Sequence, residues 1–102
     1  MINNHDWKIV ECDADDDALI VNGTSRHASC WYERNTMYIW NELPETRKKH
    51  SIIHELTHAF IESYGLMAFE EFNHEQLCEF LGAHAQNIVD IANEYMKIKL
   101  LP

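Results

Sequence analysis

The segment from Pro44 to Gly65 constrains the fold most, because its apolar residues recur at the spacing of one helix face. Pro44 suits the first turn of a helix, and Gly65 supplies a C-terminal stop. We therefore predict one helix from about Pro44 to Tyr64, with its apolar face against the core. The apolar residues fall within an arc of roughly 140° on the helical wheel; they are Ile52, Ile53, Leu56, Ala59, Phe60 and Tyr64.

The other side of this helix carries the motif His-Glu-x-x-His at positions 54–58. His54 and His58 lie about 40° apart on the wheel, so both imidazoles can bind one Zn²⁺. Glu55 is rotated by about 100° from His54, which disfavours it as a ligand but lets it accept a proton from metal-bound water. The motif predicts one Zn²⁺ per chain with Glu55 as general base. Solvated surface histidines are the alternative.

A second helix is predicted from His74 to about Lys97. Asn73 suits its N-cap, and Gln76 three residues later completes a capping box. A catalytic zinc site commonly has three protein ligands, and the polar face of this helix offers Glu75 and Glu79 as candidates for the third. Cys78 lies beside the apolar stripe and is expected in the core. The stripe consists of Leu77, Phe80, Leu81, Ala85, Ile88, Ile91, Ala92 and Tyr95.

The first part of the chain is predicted to form strands. Aromatic and β-branched residues are enriched there, and Asn22-Gly23 is a strong tight-turn signal. We expect an α+β fold in one domain, residues 1–102: a small, mostly antiparallel sheet packs on the HExxH helix, and the second long C-terminal helix completes the metal site. The expected strands are residues 7–10, 18–21, 27–32 and 36–40, the last two forming a hairpin.

Composition excludes several functional classes. The net charge of −9, from 17 acidic and 8 basic residues, disfavours a nucleic-acid partner, which needs clustered Lys and Arg. No apolar run approaches the roughly 20 residues of a membrane span, so no membrane partner is expected. Three cysteines without a C-x-x-C pair, after a polar N-terminus, predict a cytoplasmic location. The acidity indicates solubility; an acidic mimic of nucleic acid would not explain the motif.

The metzincin pattern would need Gly at position 61 and His at position 64, where this chain has Ile61 and Tyr64. The chain instead resembles the gluzincins, thermolysin-like zinc peptidases whose third ligand is a Glu on the next helix. In that family an acid four residues later contacts a zinc histidine, and residues 75–82 match this layout. The resemblance implies Glu75 as the direct ligand and Glu79 as the acid that orients a histidine. Glu79 replaces an Asp of the family and stays an alternative ligand.

The order of strands, HExxH helix and Glu-bearing helix is still more similar to short phage and bacterial relatives of the ImmA/IrrE metallopeptidases. That resemblance implies hydrolysis of a peptide or protein substrate by zinc-bound water that Glu55 activates. The alternative is a zinc-containing binding or regulatory protein without hydrolytic activity, which would not need Glu55. Tyr64, His74 and His84 are possible oxyanion donors, although packing or capping accounts for each. An aromatic edge strand beside the metal could hold an extended peptide.

Overall fold

The computed structural model describes residue 2, residues 6–64 and residues 73–99. The predicted helix stop at Gly65 lies outside the described residues. Five strands are followed by two helices, and two short 3₁₀ turns lie between strands, at Asp17–Leu19 and Tyr32–Arg34. The elements are β1 (Lys8–Cys12), β2 (Ile20–Val21), β3 (Thr24–Ser25), β4 (Ala28–Trp31), β5 (Thr36–Trp40), α1 (Glu45–Ser63) and α2 (His74–Lys99).

Three strands form the main sheet in the order β1-β5-β4, with β5 in the centre. β4 pairs antiparallel with β5, which sets Cys30 opposite Met37, whereas β1 pairs parallel and sets Ile9 opposite Met37. β2 and β3 form a separate antiparallel hairpin. Two of the three pairings are antiparallel. This confirms the expected α+β fold with two helices and a small, mostly antiparallel sheet.

Two turns of the β-rich part follow from local sequence. Asn22 and Gly23 join β2 to β3 with φ values of 53° and 78°, and a type I′ turn requires positive φ at both positions. Asn35 ends the turn between β4 and β5 with φ of 47°, a conformation that Asn tolerates better than most residues. The turn at Asn22-Gly23 and the hairpin over residues 27–40 are confirmed.

Helix α1 packs its apolar face on one face of the sheet. Ile52, Leu56 and Phe60 are fully buried against a cluster that includes Met37 and Ile39 of the central strand. Burying a side chain of this size contributes about 1.5–3 kcal/mol. The predicted core arc of α1 is confirmed except at its end, because Tyr64 is exposed. This packing fixes the rotation of α1 about its axis.

Helix α2 begins as the sequence predicts, but fewer of its apolar residues are buried than expected. Asn73 Oδ1 accepts a hydrogen bond from the backbone N–H of Gln76 at 2.8 Å. In return, the backbone N–H of Asn73 donates to Oε1 of Gln76 at 3.0 Å. The expected burial of Leu77, Leu81 and Cys78 is wrong, since all three are exposed. The buried apolar residues of α2 lie mostly in its C-terminal half; those that the structure describes are Phe80, Ile88, Ala92 and Met96.

Strand β1 ties both helices to the sheet through one carboxylate. Glu11 accepts hydrogen bonds from Lys48 Nζ of α1 at 2.7 Å and from Tyr95 Oη of α2 at 2.6 Å. Trp7 Nε1 donates to Ser63 Oγ at the far end of α1, at 2.9 Å. Two of these contacts, at Lys48 and Ser63, hold α1 near its two ends, so the side of α1 that faces β4 has a fixed position.

The packing predicts that the central strand carries much of the stability. Ile39 is 0% exposed, whereas Ile98 on α2 is 58% exposed. Ile39→Ala should lower the free energy of unfolding by about 2–5 kcal/mol, because it opens a cavity in the core. The matched control Ile98→Ala should change it by less than about 0.5 kcal/mol. Urea unfolding measures both; equal losses in the two variants would contradict this core.

Candidate functional site

The three motif residues lie on the side of α1 that faces β4. The ring centroids of His54 and His58 are 5.0 Å apart, with an interplanar angle of 70°. His54 is exposed and His58 is half-buried. The two imidazoles are therefore neighbours on one helix face, as the spacing predicts, and both border the same cleft.

Glu55 differs from its two neighbours because its carboxyl group is buried. The residue is 6% exposed, and burial raises its pKa from 4.5 to about 7. A carboxyl group of this pKa exchanges protons readily near neutral pH, which suits a general acid or base. The surroundings of Glu55 thus favour proton transfer, whereas an exposed helix glutamate would remain ionised.

Tyr32 faces His58 across the cleft. Its hydroxyl oxygen lies 3.5 Å from Nδ1 of His58. Burial and the neighbouring His54 lower the pKa of His58, which favours the neutral ring that binds metals. Contact at Nδ1 leaves Nε2 of the same ring available as a metal ligand. Burial is also the main cause of the raised pKa of Tyr32, so the phenol stays protonated at neutral pH.

Cys30 lines the same cleft, and the charge of Glu62 acts on it from nearby. Burial raises the pKa of Cys30 to about 12, and the charges of Glu55 and Glu62 add to this shift. The thiol is therefore protonated at neutral pH. Tyr32 and Glu62 are not among the site residues that the sequence predicts. Glu62 follows His58 by four residues, so helical spacing could have indicated it, whereas the position of Tyr32 depends on how the sheet packs against α1.

The motif residues, together with Cys30 and Tyr32, line a cleft of about 550 Å³ between α1 and the β2–β3 hairpin. Strand β4 forms its floor and is an edge strand among the described elements, paired only with β5. The cleft is long enough for an extended segment of chain, because the residues that line it span both ends of β4. They include Val21, Arg26, Ala28, Cys30, Trp31, Tyr32, His54, Glu55 and His58.

Glu75 and Glu79 occupy the first two turns of α2, and both are exposed. Among residues 6–64 and 73–99, no group of three His, Cys, Asp or Glu side chains is close enough together to hold a metal. His54, Glu55 and His58 border one cleft, but neither Glu75 nor Glu79 joins the two histidines in such a group. The assignment of Glu75 or Glu79 as the third ligand stays a prediction.

His74 and His84, the possible oxyanion donors on α2, do not line the cleft. His84 packs among aromatic rings, with centroids 4.4 Å from Tyr64, 5.2 Å from Phe80 and 5.4 Å from Phe60. His74 is exposed at the start of α2. Among the side chains of this site, Tyr32 is instead the hydroxyl that lies beside the motif.

The described residues supply two neighbouring imidazoles of the kind that zinc sites use, without a third ligand beside them. Two imidazoles four residues apart lie on one helix face, His58 favours its neutral form, and the buried Glu55 stands beside them. Zn²⁺ prefers nitrogen donors of this kind, and a carboxylate oxygen is a common third ligand. A carboxyl group beside imidazoles is an arrangement that hydrolytic metal sites use.

Comparison with known proteins identifies the family of this chain. Residues 3–95 match the peptidase family described as the IrrE N-terminal-like domain. The chain belongs to this family, which confirms the predicted resemblance and shows a metallopeptidase-like domain. Searches of curated proteins and of solved structures gave no significant match. Neither described helix has the length and apolar character needed to cross a membrane.

The buried carboxyl group predicts a pH-dependent stability in the metal-free protein. Because folding raises the pKa of Glu55 from 4.5 to about 7, the folded state favours the protonated form. The stability from this group is present below pH 4.5 and is lost as pH rises to about 7. The loss is on the order of 3 kcal/mol, since the shift of about 2.5 pKa units corresponds to about 1.4 kcal/mol per unit.

Glu55→Gln removes this titration. Urea unfolding in the presence of a chelator should show a smaller fall in stability between pH 4.5 and pH 8 for the variant than for wild type. Glu94→Gln, an exposed change on α2, should retain the wild-type dependence. Identical pH dependence in wild type and Glu55→Gln would show that the carboxyl group is solvated in the folded state.

Proposed function

We propose that this chain is a zinc-dependent peptidase in which His54 and His58 bind one Zn²⁺ per chain and Glu55 is the general base. One observation supports it most: a buried carboxyl group with a pKa of about 7 and two neighbouring imidazoles line the same cleft, which has an edge strand as its floor. Membership of a peptidase family supports a peptide or protein substrate.

Zinc supplies two effects when bound at such a site: it polarises a carbonyl group and lowers the pKa of a bound water to about 7. In our proposal His58 binds through Nε2, since Nδ1 faces Tyr32. Glu75 is our favoured third ligand, on the family resemblance of residues 75–82. Glu79 is the alternative ligand, or it orients one of the histidines.

The protein's own side chains carry the proton transfers. Glu55 accepts a proton from the attacking water while the water oxygen bonds to the carbonyl carbon of the peptide. When the C–N bond breaks, Glu55 returns that proton to the leaving nitrogen, which departs as an amine. A group that acts as base and then as acid works best with a pKa near the operating pH. The pKa of Glu55 lies near 7 before any metal is bound.

Tyr32 is our candidate for stabilising the negative charge that develops on the carbonyl oxygen. Its raised pKa keeps the hydroxyl protonated, so it can donate a hydrogen bond, and it lies next to His58 in the cleft. A positioned donor of this kind strengthens its interaction as charge develops in the transition state. The hydroxyl comes from the turn that follows β4, so the strand that floors the cleft also positions this donor.

We further propose that the substrate binds as an extended strand along the free edge of β4. The backbone groups of Ala28–Trp31 on the side away from β5 have no strand partner among the described residues. Strand addition provides main-chain hydrogen bonds, and pockets on either side select alternate side chains. The peptide would then pass between the β2–β3 hairpin and the motif residues of α1.

Zinc titration distinguishes the roles of the two glutamates. Wild type should bind one Zn²⁺ per chain in competition with a chromophoric chelator. Removing a direct ligand should nearly abolish binding. Removing a carboxylate that only hydrogen-bonds a ligating histidine costs about 10–100-fold in affinity. We expect the larger loss for Glu75→Ala and the smaller for Glu79→Ala, with Glu94→Ala as the control on the same helix. A larger loss for Glu79→Ala would reverse the assignment, and no loss for either would place the third ligand elsewhere.

The variant Glu55→Gln tests directly whether Glu55 is the general base of peptide hydrolysis. The amide keeps the size of the side chain but cannot accept the proton, so hydrolysis of a quenched fluorescent peptide library should fall by at least about 10²-fold. Zinc content should remain near one per chain. Glu94→Gln should retain activity. If zinc-loaded wild type cleaves no peptide, or Glu55→Gln cleaves equally well, the peptidase mechanism is wrong and a zinc-containing binding or regulatory protein becomes the better interpretation.

A further inference from the structure

The cleft continues past the motif into a second hollow of about 390 Å³. The two parts share Arg26, Ala28, His54 and Glu55, so they form one groove that passes on both sides of the motif. One part lies toward the C-terminal end of β4. The other lies toward its N-terminal end, and its remaining lining residues are Ser25, His27, Arg47, His50 and Ser51.

This second hollow concentrates positive charge in a strongly acidic protein. The chain has 8 basic and 17 acidic side chains, yet Arg26 and Arg47 both line the same small hollow. They come from different elements: Arg26 follows β3, and Arg47 lies in the first turn of α1. Glu55 is the one carboxylate among the residues that line it, and that group is buried.

The two guanidinium groups differ from neighbouring cations because no carboxylate in the described part of the chain pairs with them. Within residues 6–64 and 73–99, neither Arg26 nor Arg47 has a salt bridge or a side-chain hydrogen bond. By contrast, Lys48 is paired with Glu11 at 2.7 Å. Arg34 stacks on the Trp31 ring at 4.5 Å and donates to Tyr38 Oη at 3.2 Å. The charges of Arg26 and Arg47 are therefore available to a ligand in the groove.

We propose that Arg26 and Arg47 form a subsite that binds a carboxylate of the peptide substrate, on the C-terminal side of the bond that is cleaved. This proposal rests on the proposed peptidase function. Guanidinium groups bind carboxylates through charge-assisted, often bidentate hydrogen bonds, and two of them in one hollow favour an anion over a neutral side chain.

The direction of the peptide follows from the strand that it joins. Antiparallel pairing is slightly more stable per residue than parallel pairing, so the peptide runs opposite to β4. Strand β4 begins at Ala28, beside the two arginines, and ends at Trp31. The C-terminal half of the peptide therefore lies at the arginine end. Its carboxylate is the side chain of Glu or Asp, or the α-carboxylate of the peptide itself.

Matched peptides test this subsite. Quenched peptides of one sequence would carry Glu, Gln or Lys at each of the three positions after the cleaved bond, with an amidated C-terminus. In a second set, the peptide would end at one of those three positions with a free α-carboxylate. Wild type should prefer Glu to Gln by about 10-fold in kcat/KM, the effect of one charge-assisted interaction. Added salt should reduce the preference, because these cations are exposed.

Variants separate the two arginines from the rest of the site. In the double variant Arg26→Gln/Arg47→Gln the Glu-to-Gln ratio should fall to about 1. Arg47→Glu should shift the preference toward the Lys peptide, which a merely structural role of Arg47 would not produce. Arg34→Gln is the matched control and should keep the wild-type ratio. A preference for the amidated Glu peptides identifies a side-chain carboxylate, and a preference for the free-acid peptides identifies the α-carboxylate.

Binding to Glu55→Gln keeps this test independent of hydrolysis. Fluorescence anisotropy of the same peptides on that variant should show tighter binding of Glu than of Gln peptides by a similar factor. If wild type cleaves peptides but prefers neither Glu nor a free C-terminal carboxylate, the proposed subsite is wrong and the proposed peptidase function stands. A binding preference without any cleavage by wild type would retain the subsite and reject the peptidase. Loss of preference in the Arg34→Gln control would also overturn the assignment to Arg26 and Arg47.

Discussion

The packing of α1 on the sheet is the constraint on which the rest of this structure depends. Ile52, Leu56 and Phe60 are fully buried against Met37 and Ile39 of the central strand, so α1 cannot rotate without exposing them. The motif residues lie to one side of that apolar face. Burial of the face therefore directs His54 and His58 toward β4, and it places Glu55 at the boundary between core and cleft, where its carboxyl group is largely removed from water.

That boundary position links the fold to the chemistry. A carboxyl group at an exposed helix position would titrate near its ordinary pKa, whereas burial brings Glu55 to about 7. The same burial raises the pKa of Cys30 to about 12 and raises that of Tyr32, so the thiol and phenol beside Glu55 stay protonated. The site thus holds a proton acceptor, a hydroxyl donor and two neighbouring imidazoles along one edge strand, an arrangement consistent with a member of a peptidase family.

Sequence predicted the features that depend on neighbouring residues. The face of α1, the Asn22-Gly23 turn and the capping of α2 by Asn73 each follow from local spacing or turn chemistry. It did not predict the parallel pairing of β1 with β5, because that contact joins residues about 28 positions apart, such as Ile9 and Met37. Tyr32 was missed for the same reason: only the packing of β4 against α1 brings it to His58. The burial of Leu77 and Leu81 in the first turns of α2 was overestimated, since a helix pattern does not reveal how much of its length a neighbour covers.

The central claim is that two imidazoles of one helix hold the metal while the nearby thiol does not. X-ray absorption at the zinc edge, on protein loaded with one Zn²⁺ per chain, tests it most directly. Our account predicts a first shell of nitrogen and oxygen at about 2.0–2.2 Å with the multiple scattering of two imidazoles, and the loss of one imidazole in His58→Ala. A sulfur ligand at about 2.3 Å, or a shell unchanged in that variant, would contradict it.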